Sequence, residues 1–163
     1  MMPSDPPAAL RAAAQPEDIV LARGLFVEYA HWLKVDLCFQ GFERELATLP
    51  GAYAPPRGVL LLAGPNEHPS ACAALRPLPG GDPLVGEVKR LYVRPAARGS
   101  GLGRALVLQI IDNASAIGYR ELKLDTLPAM AAARTLYESV GFRECPAYYR
   151  NPLEGVVYMS LTL

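Results

Sequence analysis

The chain has 163 residues, 51% of them hydrophobic, which is enough for one domain with a real core over 1–163. Sixteen lysines and arginines balance sixteen aspartates and glutamates, which argues against a general nucleic-acid binder, since that class carries a clear basic excess. No charged segment precedes an apolar run at the N-terminus, and no apolar stretch approaches about 18 residues. Neither a signal peptide nor a spanning helix is therefore read, no membrane partner is expected, and a cytoplasmic location is.

The elements alternate without a linker or repeat. Residues 1–7 are rich in proline and read as a frayed terminus. Ala8–Ala13 reads as a short edge strand. Pro16-Glu17-Asp18 opens an amphipathic helix that turns Ile19, Leu21, Ala22, Leu25, Phe26, Tyr29 and Leu33 to the core. A second helix is expected over Gly41–Leu49, and the proline-dense stretch Pro50–Gly58 reads as a stiff loop. Strands follow at Val59–Ala63, Ser70–Pro77 and Val85–Val93, separated by turn residues.

A helix is then predicted from Gly101 to Gly118, with Gly118 as its left-handed cap. A strand at Leu122–Thr126, a helix at Met130–Val140, and an antiparallel pair at Phe142–Tyr149 and Val156–Leu163 complete the pattern. The arrangement is α/β with a mixed sheet, a three-layer sandwich. The last strand is apolar enough to pair across a homodimer interface, or is internal to the sheet.

The segment Leu91-Tyr92-Val93-Arg94-Pro95-Ala96-Ala97-Arg98-Gly99-Ser100-Gly101-Leu102-Gly103-Arg104 reads as a strand running through a glycine turn into a helix. Glycines at every second position leave little bulk, so a ligand can approach the backbone. The N–H groups that open a helix lack intrahelical partners and lie at its positive end, which makes an anion site. Arg94, Arg98 and Arg104 add guanidinium forks matched to phosphate oxygens. A phosphate-bearing ligand is the inference.

Spacing narrows the ligand. No Lys-Ser or Lys-Thr follows the glycines, so the P-loop pattern fails. The sixth position from Gly99 is Arg104 and from Gly101 is Leu106, so the dinucleotide pattern G-x-G-x-x-G fails as well. Arg98-Gly99-Ser100-Gly101-Leu102-Gly103 does fit R/Q-x-x-G-x-G/A, and with it the chain resembles the GNAT superfamily of acyl-CoA-dependent N-acetyltransferases. Ala133-Arg134-Thr135-Leu136-Tyr137-Glu138-Ser139-Val140-Gly141-Phe142 resembles the A-x-x-L-Y-x-x-x-G-F segment of the same superfamily. The two motifs come in the family's order, with one helix and one strand between them.

The resemblance covers Gly86–Tyr149 clearly and the rest by architecture. It implies a central, mostly antiparallel sheet of about seven strands, splayed between the fourth and fifth, with about four flanking helices. It implies acetyl-CoA as co-substrate, with no metal. Leu91, Tyr92, Val93, Arg98, Gly99, Ser100, Gly101, Leu102, Gly103, Arg104 and Tyr137 are the expected cofactor-binding residues. The pyrophosphate lies in the glycine turn, and the pantetheine arm inserts into the splay like an added strand.

Acyl transfer needs a neutral amine, a polarised thioester carbonyl and a proton for the departing thiolate. Tyr137 is the expected donor of that proton. The Val93 amide is the expected oxyanion donor. Glu87, upstream on the same strand, is the candidate base, its alternative being a salt bridge to Lys89 or Arg90. Asp125 is a weaker second candidate. Strict alternation groups Glu87, Lys89, Leu91 and Val93 on one face and Val88, Arg90 and Tyr92 on the other.

By analogy, Trp32, Phe39, Phe42, Tyr53, Tyr148, Tyr149 and Asn151 lie near the acceptor groove or pack the core. The expected acceptor is a primary amine of a small molecule or peptide. The other reading of the fold is an acyl-CoA-binding sensor or interaction module without catalysis. Cys38, Cys72 and Cys145 are scattered, without metal-ligand spacing, and read as small hydrophobes rather than nucleophiles served by His31 or His68.

Overall fold

The computed structural model describes residues 9–34, 37 and 41–163. The expected frayed terminus 1–7, Ala8, Cys38 and Phe39 lie outside the described residues. Seven strands are present: β1 Leu10–Ala12, β2 Val59–Ala63, β3 Ala71–Pro77, β4 Val85–Val93, β5 Glu121–Thr126, β6 Arg143–Glu144 and β7 Val157–Thr162. Four helices accompany them: α1 Pro16–Leu33, α2 Phe42–Thr48, α3 Leu102–Ile117 and α4 Ala131–Ser139. One turn of 3-10 helix, Gly51–Tyr53, interrupts the proline-dense loop.

The strands form one sheet in the order β1-β2-β3-β4-β5-β7-β6. Every pairing is antiparallel except β4 with β5. β2 is buried along its whole length, Val59, Leu61 and Ala63 facing one layer and Leu60 and Leu62 the other. On the first face lies α3, with Leu106, Val107, Ile110 and Ala114 in the core and Tyr137 of α4 beside them. On the second lie α1 and α2, through Ala22, Leu25, Phe26 and Phe42. The two helix layers enclose the sheet, as a sheet with two apolar faces requires.

Two local features shape the site. β4 and β5 pair only over Val85–Glu87 and Glu121–Lys123, after which no register partner joins them. Beyond Glu87 the strands part into a V. Second, β4 carries an extra residue: Cys72 pairs with Tyr92 but Ala74 pairs with Lys89, and Arg90 sits at φ +60°. This bulge corrects the strict alternation expected above. Val88, Leu91 and Val93 share the α3 layer, while Lys89, Arg90 and Tyr92 belong to the α1/α2 side. An inserted residue in a strand shifts every later side chain to the opposite face.

The expected strand Phe142–Tyr149 shrinks to Arg143–Glu144, extended by one bond from Cys145 N–H to the Tyr158 carbonyl. Pro146 follows, with no N–H to donate and a fixed φ, and ends the ladder. The residues beyond it turn inward instead. β7 lies between β5 and β6 and is an internal strand, so pairing through it across an interface does not occur.

Candidate active site

The glycine turn is built by backbone conformation. Gly99 and Gly101 have φ of +81° and +86°, in the left-handed region that L side chains avoid, and a Cβ at either would meet nothing within 4 Å. Glycine is required there by the dihedral, not by crowding. Gly101 is the N-cap of α3, so the turn delivers its N–H groups to the helix's positive end. Gly103 has an ordinary φ, but its added Cβ would stand 3.4 Å from Leu136 Cδ2, which places α3 close against α4.

This turn, the last residues of β4 and the start of α4 surround one cleft of about 370 Å³. Leu91, Tyr92, Val93, Arg98, Gly99, Gly101, Leu102, Gly103 and Arg104 all line it. Ser100 is not among the lining residues; its hydroxyl donates to the Ala97 carbonyl. The three arginines differ. Arg94 is paired with Glu28 of α1 at 2.8 Å. Arg104 donates to Ser139 Oγ at 2.9 Å, bridging α3 to α4. Among the described residues neither Arg98 nor Arg104 forms an ion pair, so both charges are available to an anion in the cleft.

The end of β4 presents its backbone to the V. Arg94 N–H donates to the Ser70 carbonyl, on the β3 side, at 2.8 Å. Across a trans peptide the Val93 carbonyl points the opposite way, into the splay, and in an extended strand the Val93 N–H lies on that same side. A donor and an acceptor on one residue therefore face the cleft.

Deeper in the V, a small cavity adjoins the cleft, and Leu91 and Met130 line both. Tyr137 reaches this cavity from α4 and Tyr29 from α1, so it passes between the two helix layers through the parted strands. Tyr137 is buried and packs edge-on to Phe142 at 5.6 Å. Burial, reinforced by Tyr29 and the negative charge of Asp125, pushes its phenol above the ordinary tyrosine value. The hydroxyl keeps its proton at neutral pH. Burial likewise pushes Tyr29 up to about 12.

The carboxylates divide between two cavities. Asp125 lines the one that holds Tyr137; Glu87 lines a neighbouring cavity of about 220 Å³ with Arg76, Tyr148 and Tyr149, and Lys89 lines both. Glu87 is 2% exposed, and its salt bridge runs to Arg76 at 2.8 Å, not to Lys89 or Arg90 as its sequence neighbours suggested. Its other oxygen accepts from Tyr148 Oη at 2.6 Å. Asp125 pairs with Lys89 at 3.5 Å and accepts from Tyr149 Oη and from Asn151 Nδ2. Burial lowers the Lys89 ammonium below the usual lysine value, opposed by Asp125 and Glu87.

Tyr148, Tyr149 and Asn151 are thus brought to the carboxylates, but the other acceptor-side candidates are not. Phe42 and Tyr53 are buried in the α1/α2 core, where Tyr53 Oη donates to Glu45 at 3.0 Å. Trp32 lines the glycine-turn cleft instead of the acceptor side. Lys89 went unremarked beyond a salt-bridge partner, although Glu87-Val88-Lys89-Arg90 sets three charges into a strand of apolar character. That crowding of charge was the readable signal, since a buried charge needs a partner.

Comparison with known proteins agrees with this architecture. Residues 26–142 match the model of the acetyltransferase (GNAT) family. An uncharacterized N-acetyltransferase of Schizosaccharomyces pombe is 40% identical over 155 residues, covering 95% of this chain and 94% of that protein. A GNAT-family acetyltransferase from Staphylococcus aureus superposes with a TM-score of 0.75 at 17% identity, over 94% of this chain and 99% of that one. A Salmonella typhimurium protein solved with its cofactor acetyl-CoA superposes at 0.68 and 21% identity, over 95% and 93%. With a family match over most of its length and a full-length relative at that identity, the chain belongs to the acetyltransferase (GNAT) family and is an acetyltransferase.

Proposed function

We propose that the protein moves an acetyl group from acetyl-CoA to a primary amine of a small molecule or peptide, directly, in a ternary complex. The observation that carries this is the parted β4/β5 pair. It sets the inward-facing Val93 N–H and the buried Tyr137 hydroxyl on cavities that meet at Leu91 and Met130. The diphosphate of acetyl-CoA lies in the turn Gly99–Gly103 beside Arg98 and Arg104, and the pantetheine arm runs along β4 into the V. A superposable protein solved with acetyl-CoA supports that donor.

The Val93 N–H stabilises the oxyanion that develops on the thioester carbonyl, inside a site shielded from water. The acceptor enters as an ammonium and loses one proton before attack. Asp125 shares a cavity with Tyr137 and takes that proton; Glu87, in the next cavity, holds Tyr148 and Arg76 in place. Attack forms the C–N bond. As the adduct collapses the C–S bond breaks, Tyr137 gives its proton to the sulfur, and the second proton leaving nitrogen restores the phenol. The net products are the amide, free CoA thiol and one proton.

The test is release of CoA thiol over a panel of amines, amino acids and peptides. Tyr137→Phe lowers kcat roughly 10²- to 10⁴-fold, the range of general acid catalysis, with the KM for acetyl-CoA unchanged. Wild-type turnover by Tyr137→Phe removes the tyrosine from the mechanism. Absence of acetyl-CoA binding by calorimetry removes the function itself.

A further inference from the structure

Trp32 is the chain's single tryptophan, sits in the last turn of α1 and is 41% exposed on the wall of the glycine-turn cleft. The Arg98 guanidinium lies over its indole, 4.5 Å from the ring centroid. The same side chain donates from Nε to the Val93 carbonyl at 3.1 Å. That carbonyl is the acceptor which β4 turns into the V. An arm laid along β4 as an added strand has to place an amide N–H on it, where Arg98 now stands.

We propose that Trp32 and Arg98 form a latch over the channel for the amide-bearing arm of an acyl-CoA, and that Trp32 is a binding residue for that arm. In the closed form Arg98 occupies the Val93 carbonyl and rests on Trp32. On binding, the arm's amide takes the carbonyl, the guanidinium turns to the diphosphate at the glycine turn, and the indole closes on the arm. Arg98 has the freedom for this because it is exposed and forms no ion pair among the described residues. Arg94, four residues earlier, is held by Glu28 and has not. The indole keeps its place during the exchange because Tyr92 and Tyr29 back it, with ring centroids 6.1 Å (Trp32–Tyr92) and 5.9 Å (Tyr29–Tyr92) apart. This inference rests on acetyl-CoA being the donor.

Because Trp32 is the sole tryptophan, its emission reports on this contact alone. The wild-type protein is titrated with acetyl-CoA and, separately, with adenosine 3′,5′-bisphosphate, which has the nucleotide end but no arm. Calorimetry runs in parallel. Acetyl-CoA shields Trp32 from acrylamide quenching and shifts its emission to shorter wavelength; the bisphosphate does neither. Trp32→Ala weakens acetyl-CoA roughly three- to tenfold, the range of a stacked cation–π contact, and leaves the bisphosphate affinity unchanged. Trp32→Phe, which keeps an aromatic face and guards against a folding defect, retains most of the affinity. Unchanged Trp32 emission with acetyl-CoA bound by calorimetry overturns the latch while leaving the donor intact, as does an equal response to both ligands. Absence of acetyl-CoA binding overturns the donor assignment instead.

Discussion

Replacing Arg90 by glycine sets two structural effects against each other. Arg90 occupies the bulge of β4 at φ +60°, a conformation that costs a non-glycine residue about 1–2 kcal/mol. Glycine relieves that strain, but its freer unfolded chain returns about 0.5–1 kcal/mol of the gain. Against this small relief stands the side chain, 5% exposed, forked onto Glu45 through Nε at 2.8 Å and a terminal nitrogen at 3.1 Å, and lying 5.1 Å over the Phe42 ring. Burial by itself would lower the affinity of this guanidinium for its proton; the bonds to Glu45 outweigh that and raise it. Removing one partner of a buried pair costs about 3–5 kcal/mol, because the survivor's charge is left uncompensated.

Glu45 keeps the Tyr53 hydroxyl and some access to water, which puts the cost at the lower end. The balance is a loss of about 2–3 kcal/mol, a large share of the roughly 5–15 kcal/mol that holds a domain folded. Urea unfolding followed by circular dichroism reads this as a midpoint lower by about 1–2 M, at slopes of about 1–3 kcal/mol per M. Glu45→Gln in the Arg90→Gly background recovers part of it. Arg90→Gly as stable as wild type would refute the reasoning, showing that backbone strain and not the ion pair governs this position. A second arm separates the backbone from the charge. Arg90→Gly preserves the bulge and hence acetyl-CoA affinity, whereas Arg90→Val favours extended backbone and loses both.

Three further outcomes are expected. Gly101→Ala forces a Cβ onto φ +86° and costs about 1–2 kcal/mol together with acetyl-CoA affinity, whereas Gly103→Ala folds normally; urea midpoints and calorimetry compare them. Tyr29 is raised from 10.0 to about 12 by burial, and Tyr53 and Tyr137 are raised in the same direction. A raised folded value means their stabilisation is complete below pH 10 and drains away as pH climbs from 10 towards 12, on the order of 3 kcal/mol from Tyr29 alone. Melting temperature against pH reads this, and a flat profile from pH 9 to 11.5 contradicts it. Cys72, fully buried and donating Sγ–H to the Arg90 carbonyl, has its thiol pushed up to about 12 by burial. Mass spectrometry after alkylation finds Cys72 unmodified in the native protein and modified in urea.

Much of the architecture was local and therefore legible. The strands Val59–Ala63 and Val85–Val93 coincide with their apolar runs, and α3 begins and ends where Gly101 and Gly118 allow left-handed caps. The glycine turn was legible for the same reason, since φ preference and helix polarity belong to the residues themselves. So was the pairing of that turn with the Tyr137 segment, because the order and spacing of the two motifs are properties of the chain. The strand expected over Phe142–Tyr149 failed for want of weight given to Pro146, which was visible.

What the chain alone could not determine was contact between distant segments. Glu87 meets Arg76 and Tyr148, residues 11 and 61 positions away, and not its neighbours Lys89 or Arg90. Asp125, on another strand, gathers Lys89, Tyr149 and Asn151, and Trp32 closes with Arg98 instead of the acceptor side. The cause lies in one residue: the extra position at Arg90, stabilised by Glu45 from α2, shifts the faces of everything after it on β4. Periodicity in a sequence reports which residues are apolar, but register is set by the partner strand and the helix packed against it. By itself the sequence determined the elements and the anion-binding turn. Only the tertiary structure decided which charges share a cavity with Tyr137, because those distances arise from sheet pairing and helix packing together.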